Sequence, residues 1–446
     1  MSFCSNTRKT RLSERALLGL AFAALLAVVL RVDAAPVSFK AEVAPILIAK
    51  CQSCHGPDKA KGKYRVDSFA RALKPGAEEF LYRVTTDDEE ERMPPEGDPL
   101  PAKQAGLLKR WVDEGTKYDA EDPNAPLASI LPSVKHPPAP ETYPRPPPLV
   151  SLAFSSDSQH LYAGGYREIL VREVKGGKLL RRIGNLPERI HAIAPSPDGA
   201  LLAVAGGIPG RLGEVRVLET TSGKLIQVLH KSSDSCHAAA FSPNGAHLAT
   251  GGPDGSVHVF NTKSWEQVVT FANHSDQVND VAWSLDGTKL ASAGRDHTAK
   301  VFDLAEKKRL TSYTGHSASV HAVRFHPEAP DVFTVAADGK LMRWRISDGG
   351  TAREYAKYTS PVYRLVYLPA NKELATTSGE ARLATFHWHD HRKRRVLSTN
   401  EARSVALAVS HDGILLADGD RQGQVRIRKS DEDEILSSFH AFPLRR

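Results

Sequence analysis

Two cysteines and a histidine stand together near the start of the chain, as Cys51-Gln52-Ser53-Cys54-His55. Cys-x-x-Cys-His is the motif to which c-type haem is attached, because the two thiols add to the haem vinyl groups and hold the adjacent imidazole under the ring as an axial iron ligand. A thioredoxin-like redox pair would need a βαβ surround, and a zinc site would need a second ligand pair at usable spacing. The sequence shows neither. It therefore predicts one covalently attached haem c, with Cys51 and Cys54 as attachment sites and His55 as an iron ligand.

The second axial ligand is sought among the three methionines of the chain. Met1 leaves with the N-terminal segment, and Met342 lies far downstream in a repeat. Met93 follows His55 by 38 residues in a proline-rich loop, which loses little entropy when it holds a thioether over the iron. His/Met ligation is typical of electron transfer and raises the potential, so Met93 is the predicted sixth ligand. The alternatives are a loop methionine with no role, which leaves the iron five-coordinate, or a histidine such as His136.

Apolar residues at helical spacing predict two helices around this motif. In the earlier helix Phe39, Val43 and Leu47 recur at i, i+4 and i+8. The later helix has one packing face, formed by Gln104, Leu107, Leu108, Trp111 and Val112. The two faces are expected to pack against each other.

The N-terminus predicts export. Four basic residues precede an apolar run of 15 residues at 16–30, and small residues follow up to Ala35. This is the pattern of a secretory signal peptide, here residues 1–34. The run is short for a membrane span, which needs about 20 residues. An uncleaved anchor is the alternative, and membrane association is expected only in that case. The predicted location is exported, periplasmic or in the cell envelope.

Two segments of biased composition follow the haem motif. Residues 87–91 are five consecutive acids, which form either a solvated loop or a docking surface for a basic partner. Residues 121–148 contain ten prolines among 28 residues, a density that excludes helix and central strand. The second segment is predicted to be an extended linker between a domain at 37–120 and another at 149–446.

The C-terminal part is a repeat. Segments that end at Phe154, Pro195, Phe241, Trp283, Phe325, Tyr367 and Val409 are separated by 41, 46, 42, 42, 42 and 42 residues. A period of 40–45 residues with short strands and Asp-Gly-type turns predicts one propeller blade per unit, and therefore seven blades. The longer interval contains residues 208–213, which are expected to be a loop insertion.

Residues 37–118 resemble the planctomycete-type cytochrome c domain, a small all-α, class I-like module. The resemblance rests on Cys51-x-x-Cys54-His55-Gly56-Pro57, on Met93-Pro94-Pro95 and on the closing Leu108-x-x-Trp111-Val112-x-x-Gly115. It implies haem attachment at Cys51 and Cys54, with His55 as proximal and Met93 as distal ligand.

Residues 149–440 resemble the WD-repeat family, with seven degenerate units. His316, Asp338 and Trp344 match best the residues that hold a blade together in that family. The resemblance implies an all-β seven-bladed propeller and a structural role for these three side chains.

Other chemistry in the repeat region is sparse. His387, His389 and His391 alternate beside a basic stretch, which predicts a basic hairpin tip more than a metal site. Cys236 is expected to be a small buried strand residue. The sequence contains no Ser-His-Asp set, phosphate-binding glycine loop or carboxylate pair that indicates an enzyme.

The net charge of +7 does not indicate a nucleic-acid partner, because the excess is spread over more than 300 residues after position 125. Three hypotheses remain. The favoured one is a one-electron carrier that acts on a redox protein partner and uses the propeller for protein–protein contacts. The others are an envelope scaffold with an accessory or sensory haem, and a peroxidase-like enzyme with an open iron site.

Overall fold

The computed structural model describes residues 35–55, 61–88, 90–94, 99–125, 127–130, 135–380, 383–392, 394–397 and 403–445. The chain divides between Ser133 and Val134 into two compact units. The predicted signal peptide, residues 1–34, lies outside the described residues. Within the described ranges, no helix is both long enough and apolar enough to cross a membrane.

The secondary-structure elements described in the first unit are all helical, as predicted. Its elements are a π-helical turn Phe39–Val43, α1 Ala44–Lys50, α2 Gln52–His55, a 3-10 turn Lys61–Lys63, α3 Phe69–Ala72, α4 Ala77–Thr85, α5 Ala102–Asp113 and α6 Leu127–Ile130. Proline 45 stands in the first turn of α1, where the missing N–H removes no helical hydrogen bond.

Four aromatic side chains form the centre of this unit. The Phe39 ring centroid lies 5.0 Å from that of Phe69 and 5.3 Å from that of Trp111. Tyr118 packs on Phe69 with centroids 4.5 Å apart, and the Trp111 indole N–H donates to the Lys117 carbonyl at 2.9 Å. The expected packing of the first helical segment against the later helix is therefore confirmed.

The proline-rich segment 121–148 is shared between the two units. Leu127 is fully buried in the core of the first unit, and its N–H donates to the Asp67 carbonyl at 2.9 Å. In the second unit, Tyr143 is buried and its hydroxyl donates to the Glu168 carboxylate at 2.6 Å. The exclusion of helix from this segment is wrong at Leu127–Ile130, which form the single turn of α6. The contacts of Tyr143 were not predicted, because proline density restricts the backbone without specifying its neighbours.

Within residues 135–445, as far as the structure describes them, 28 strands form seven four-stranded antiparallel sheets, one for each predicted repeat. Each blade is built from four consecutive strands. Blades 1 to 4 comprise β1 Leu152–Phe154, β2 His160–Gly164, β3 Ile169–Glu173, β4 Leu179–Ile183; β5 Arg189–Pro195, β6 Leu201–Ile208, β7 Leu212–Glu219, β8 Leu225–Ser232; β9 Ala238–Phe241, β10 His247–Gly251, β11 Ser256–Asn261, β12 Gln267–Ala272; β13 Val278–Trp283, β14 Lys289–Gly294, β15 Ala299–Asp303, β16 Lys308–Tyr313. Blades 5 to 7 comprise β17 Val320–Phe325, β18 Asp331–Ala336, β19 Lys340–Arg345, β20 Thr351–Lys357; β21 Val362–Leu368, β22 Glu373–Ser378, β23 Leu383–His387, β24 Arg394–Leu397; β25 Ser404–Val409, β26 Leu415–Asp420, β27 Gln424–Lys429, β28 Ile435–His440.

Blades 1 and 7 pack together and so close the propeller. Leu152 of blade 1 and Val425 of blade 7 belong to one buried cluster. Tyr143 adds a backbone connection, since its N–H donates to the Pro443 carbonyl at 2.8 Å and it forms a parallel bridge with Leu444. The two ends of the propeller chain are thereby joined, which protects the terminal blades.

The expected loop insertion in the second unit of the repeat is a lengthened hairpin, in which residues 209–211 form the turn. β6 and β7 have eight residues each, and Ile208 pairs with Leu212 at the end of their ladder. The extra residues lengthen this hairpin, because their backbone groups pair with each other instead of with solvent.

The recurring Asp-Gly-type turns are stabilised locally, as the turn Ser284-Leu285-Asp286-Gly287 shows. The Ser284 hydroxyl donates to the Asp286 carboxylate at 2.6 Å and accepts the Lys289 N–H at 2.9 Å. Asp286 also accepts the Thr288 N–H at 3.0 Å, and these contacts lower the pKa of Asp286 to about 2. Gly287 has φ of +70°, a conformation that favours glycine. Each turn thus delivers the chain to the next strand in one register.

The structural role expected for His316 and Asp338 is confirmed. His316 Nδ1 lies 2.9 Å from the Asp338 carboxylate, and its Nε2 lies 2.9 Å from the Thr334 hydroxyl. Trp344 is fully buried and stacks on Tyr313 with ring centroids 5.4 Å apart. The histidine contacts join blade 5 to the loop before β17, and the aromatic stack joins β19 to β16 of blade 4.

Two stacked histidines lie at the innermost strands of blades 2 and 3. His191 is the extra residue of a β-bulge in β5, and its ring centroid is 4.0 Å from that of His237. Burial, with a smaller contribution from the neighbouring His237, lowers the pKa of His191 to about 3. Burial likewise lowers the pKa of His237 to about 4. Charged groups around the pair are Arg189, Asp234, Arg295 and Arg364.

We expect this pair to make the propeller less stable in acid. Between about pH 6.5 and 4 the unfolded chain protonates both imidazoles and the folded chain does not, so the free energy of unfolding falls as the pH falls. The slope is on the order of 1 kcal/mol per pH unit for each histidine. Calorimetry of the propeller transition across this pH range measures the effect. The free energy of unfolding should fall less steeply with decreasing pH in the double variant His191→Gln/His237→Gln than in the parent. The exposed His411→Gln is the control, and equal slopes for parent and double variant would contradict the prediction.

Candidate functional site

Cys51, Cys54 and His55 occupy a single helical turn directly after α1. The Cys51 N–H donates to the Leu47 carbonyl at 3.0 Å, which continues the helix into the motif. The N–H groups of Cys54 and His55 then donate back to the Cys51 carbonyl at 3.2 Å and 2.9 Å. Both cysteines are free and half-buried. Local helical geometry therefore presents two thiols and one imidazole together.

His55 is oriented by a backbone carbonyl. Its Nδ1 lies 3.2 Å from the Tyr64 carbonyl oxygen, and the Val66 N–H donates to the His55 carbonyl at 2.8 Å. When Nδ1–H donates to that carbonyl, the lone pair of the imidazole lies on Nε2. This arrangement is typical of metal-ligating histidines, whose other nitrogen is held by a backbone or carboxylate oxygen.

Tyr64 is itself anchored, and the sequence did not single it out. Its hydroxyl donates to the Ala72 carbonyl at 2.5 Å, and its ring centroid lies 5.2 Å from that of His55. Burial raises the pKa of Tyr64 above its ordinary value, so the hydroxyl stays a donor. A residue that acts through its carbonyl oxygen leaves no side-chain signal in a sequence.

Burial also affects the Cys51 thiol. Together with a smaller contribution from the nearby Cys54, it raises the pKa of that thiol to about 11. The Cys51 thiol is therefore protonated at neutral pH.

Met93 lies in a separate segment after α4. Its N–H donates to the Arg83 carbonyl at 2.7 Å, and the residue is half-buried. The following loop residues 95–98 lie outside the described part of the chain. The structure thus anchors the backbone of Met93 to the last turn of α4, and iron ligation by Met93 stays a prediction.

The acidic run before Met93 forms an exposed turn in its described residues. Asp87, Asp88 and Glu90 are exposed, and Glu89 lies outside the described residues. The Asp88 carboxylate accepts the Glu90 N–H at 2.9 Å, and its carbonyl accepts the Arg92 N–H at 2.8 Å. Solvated acids are the simpler interpretation, and docking of a basic partner stays a prediction.

The three alternating histidines of blade 6 lie at a hairpin tip, as predicted. β23 ends at His387, so His389 and His391 are beyond the strand and do not share its face. His389 Nε2 lies 2.5 Å from the Glu328 carboxylate, and His391 Nδ1 accepts from Arg353 at 2.9 Å. Their nitrogens are engaged with different partners.

Cys236 is buried, as expected, but it precedes β9 and is not a strand residue. Its Sγ lies 3.7 Å from the Ser232 hydroxyl, and burial raises the thiol pKa to about 12. An inert, protonated thiol is the result.

Comparison with known families agrees with this division of the chain. The sequence model of the family Planctomycete cytochrome C matches residues 51–97, which include the Cys-x-x-Cys-His turn and Met93. The model of the WD domain, G-beta repeat, matches residues 223–261, 265–303 and 307–345. Residues 51–97 are thus similar to planctomycete-type cytochrome c, and part of the seven-bladed propeller is similar to WD repeats. The matched repeats cover blades 3 to 5 almost entirely, and the other four blades have the same strand order. No curated protein matches the chain.

Proposed function

We propose that this protein is an exported c-type cytochrome that binds one haem covalently and transfers single electrons, with the propeller as its protein-interaction platform. The observation that carries the proposal is the helical turn with Cys51, Cys54 and His55, in which the Tyr64 carbonyl engages His55 Nδ1. The Planctomycete cytochrome C match over the same residues supports it.

The residues present fit a c-type haem. Cys51 and Cys54 would form the thioether links, and His55 Nε2 would be one axial ligand, since Nδ1 is engaged by the Tyr64 carbonyl. Met93 would supply the other ligand. When bound, haem supplies a one-electron Fe(III)/Fe(II) couple. The Tyr64 carbonyl keeps the imidazole proton on Nδ1, which fixes the tautomer and orients the ring.

The cellular setting follows from the N-terminal segment. Its basic residues and 15-residue apolar run support export, and export brings the chain to the compartment where c-type haem is attached. The partner would be a redox protein. WD-type propellers are in general protein-interaction platforms, which supports contacts through the second unit.

Ligation of the haem iron by Met93 is tested by the absorption spectrum of the haem-loaded protein. We expect the protein, expressed in a host that attaches c-type haem, to be low-spin and to show the weak red methionine–iron band when oxidised. Met93→Leu should abolish that band and lower the reduction potential, because it removes the sulfur while it conserves side-chain volume.

Met342→Leu is the matched control, since Met342 is a buried propeller residue, and its spectrum should equal that of the parent. A high-spin haem in the parent would contradict the electron-carrier proposal. An unchanged band in Met93→Leu would contradict ligation by Met93 alone.

A further inference from the structure

Three potential metal ligands meet at the edge of blade 3. His230 lies near the end of β8, Asp254 in the turn between β10 and β11, and His258 on β11. One nitrogen of each imidazole and one carboxylate oxygen of Asp254 lie within 4.8 Å of one another. The two imidazole rings meet edge to face, with centroids 4.2 Å apart.

Blade 4 shows what the corresponding residues do when they are structural. There His274 Nδ1 lies 2.9 Å from the Asp296 carboxylate and Nε2 lies 2.7 Å from the Ser292 hydroxyl. Blade 5 repeats this arrangement with His316 and Asp338. Both nitrogens of these imidazoles are engaged by the protein, so neither can bind a metal.

Blade 3 departs from this arrangement at two points. His258 pairs with Thr250 across the sheet, where blade 4 has Lys300 opposite Ser292. In blade 5 the residue at the corresponding position is Met342, which pairs with Thr334. The Thr250 hydroxyl is buried and, among the described residues, has no hydrogen-bond partner, so it does not receive an imidazole N–H as Ser292 does.

The imidazole nitrogens of blade 3 are available as ligands. His258 Nδ1 lies 3.1 Å from both the Gln267 amide oxygen and the Thr270 hydroxyl, which places the lone pair of the ring on Nε2. His258 Nε2 and His230 Nδ1 are buried and have no hydrogen-bond partner among the residues that the structure describes. Unpaired buried imidazole nitrogens cost free energy unless something binds them.

The backbone aims His230 into this cluster. β8 shifts its register between Leu229 and Lys231, so His230 is the extra residue of a β-bulge and has φ of +44°. Such bulges re-aim a side chain, and a non-glycine residue in this conformation is strained. Gly252 leaves the space, since a Cβ there would lie 2.3 Å from Asp254 Oδ1 and 2.5 Å from His230 Cε1.

We propose that His230, Asp254 and His258 form a binding site for a divalent transition metal, with Zn²⁺ as the best-matched ion. Two imidazoles and one carboxylate are the three-ligand set of open zinc sites, in which water or another ligand takes the fourth position. Donors around one tetrahedral Zn²⁺ stand about 3.3 Å apart, so side-chain shifts of about 1 Å close the observed cluster on an ion. The exposed Asp254 provides the route of entry.

The protonation states of His230 and His258 favour the binding of a cation. Burial, with a smaller contribution from the nearby His258, lowers the pKa of His230 to about 4. Burial also lowers the pKa of His258. Both imidazoles are therefore neutral at pH 7 and need release no proton when they bind a metal.

The test is zinc binding by the complete haem-loaded protein after chelator treatment. Equilibrium dialysis against ZnCl₂ with elemental analysis should give one zinc per chain, with iron content unchanged. His258→Met should weaken binding on the order of 100-fold or more, because it removes one of three ligands. This variant introduces the residue that blade 5 carries at the same register, so it is expected to fold.

Thermal unfolding supplies a second readout. Zinc should raise the melting temperature of the parent propeller and of the control His411→Gln, and should leave that of His258→Met unchanged. The proposal is overturned if the parent binds no zinc at millimolar concentration, or if His258→Met binds zinc as the parent does.

Discussion

The double variant Cys51→Ala/Cys54→Ala is expected to lose covalent haem completely, from one per chain to none. The two thiols lie in one helical turn, with the Cys54 N–H on the Cys51 carbonyl, so both are presented to the same ligand. Without them no thioether bond can form, and the proposed ligands His55 and Met93 would hold the haem only by coordination. Intact-mass spectrometry and haem staining after denaturing electrophoresis measure the change directly.

Cys236 provides the matched control for this experiment. It is the remaining described cysteine, it is fully buried in the propeller, and burial raises its thiol pKa to about 12. Cys236→Ala should therefore keep one covalent haem. Haem that stays attached in the double variant, or is lost from Cys236→Ala, would show that the assignment of the attachment sites is wrong.

Asp418→Ala is expected to destabilise the propeller by about 3–5 kcal/mol, because it removes the carboxylate shared by two buried guanidinium groups. Asp418 Oδ2 accepts from Arg426 at 2.7 Å and Oδ1 accepts from Arg428 at 3.0 Å. The Ser404 hydroxyl donates to the same carboxylate at 2.6 Å. All three charged side chains are at most 3% exposed, so solvent cannot replace the lost partner.

Asp433→Ala is the control for charge removal in the same blade. Asp433 pairs with Arg428 at 3.1 Å, but its side chain is 55% exposed. An exposed carboxylate contributes at most about 1 kcal/mol, so this variant should unfold close to the parent. Thermal or urea unfolding followed by far-ultraviolet circular dichroism compares the two variants. Equal losses of stability in both would contradict a special role for the buried cluster.

The buried charges of blade 7 differ from the polar contacts that stabilise blades 4 and 5. Blades 4 and 5 are held by a histidine–aspartate pair, whereas blade 7 has Asp418, Arg426 and Arg428 inside its sheet. The strand order of the two kinds of blade is the same. Different polar networks can therefore stabilise one blade geometry.

Local patterns in the sequence were sufficient to predict two helices of the first unit and the seven blades of the second. The spacing of Leu108 and Trp111 predicted a helix whose buried face is now seen in α5, because helical periodicity depends only on neighbouring residues. The period of about 42 residues predicted seven blades, since each repeat must form one sheet to bury its apolar residues. The Cys-x-x-Cys-His turn was recognisable for the same reason, as its three side chains lie within one helical turn.

Contacts between distant segments were decided only by the tertiary structure. The Tyr64 carbonyl on His55 Nδ1 involves a backbone atom that every residue type possesses. His230 reaches Asp254 and His258 through a β-bulge. The bulge, and the difference between blade 3 and blades 4 and 5, can be recognised only when the pairing of the strands is known. Sequence periodicity specifies which residues are buried, while the pairing of strands and turns decides which polar atoms meet inside.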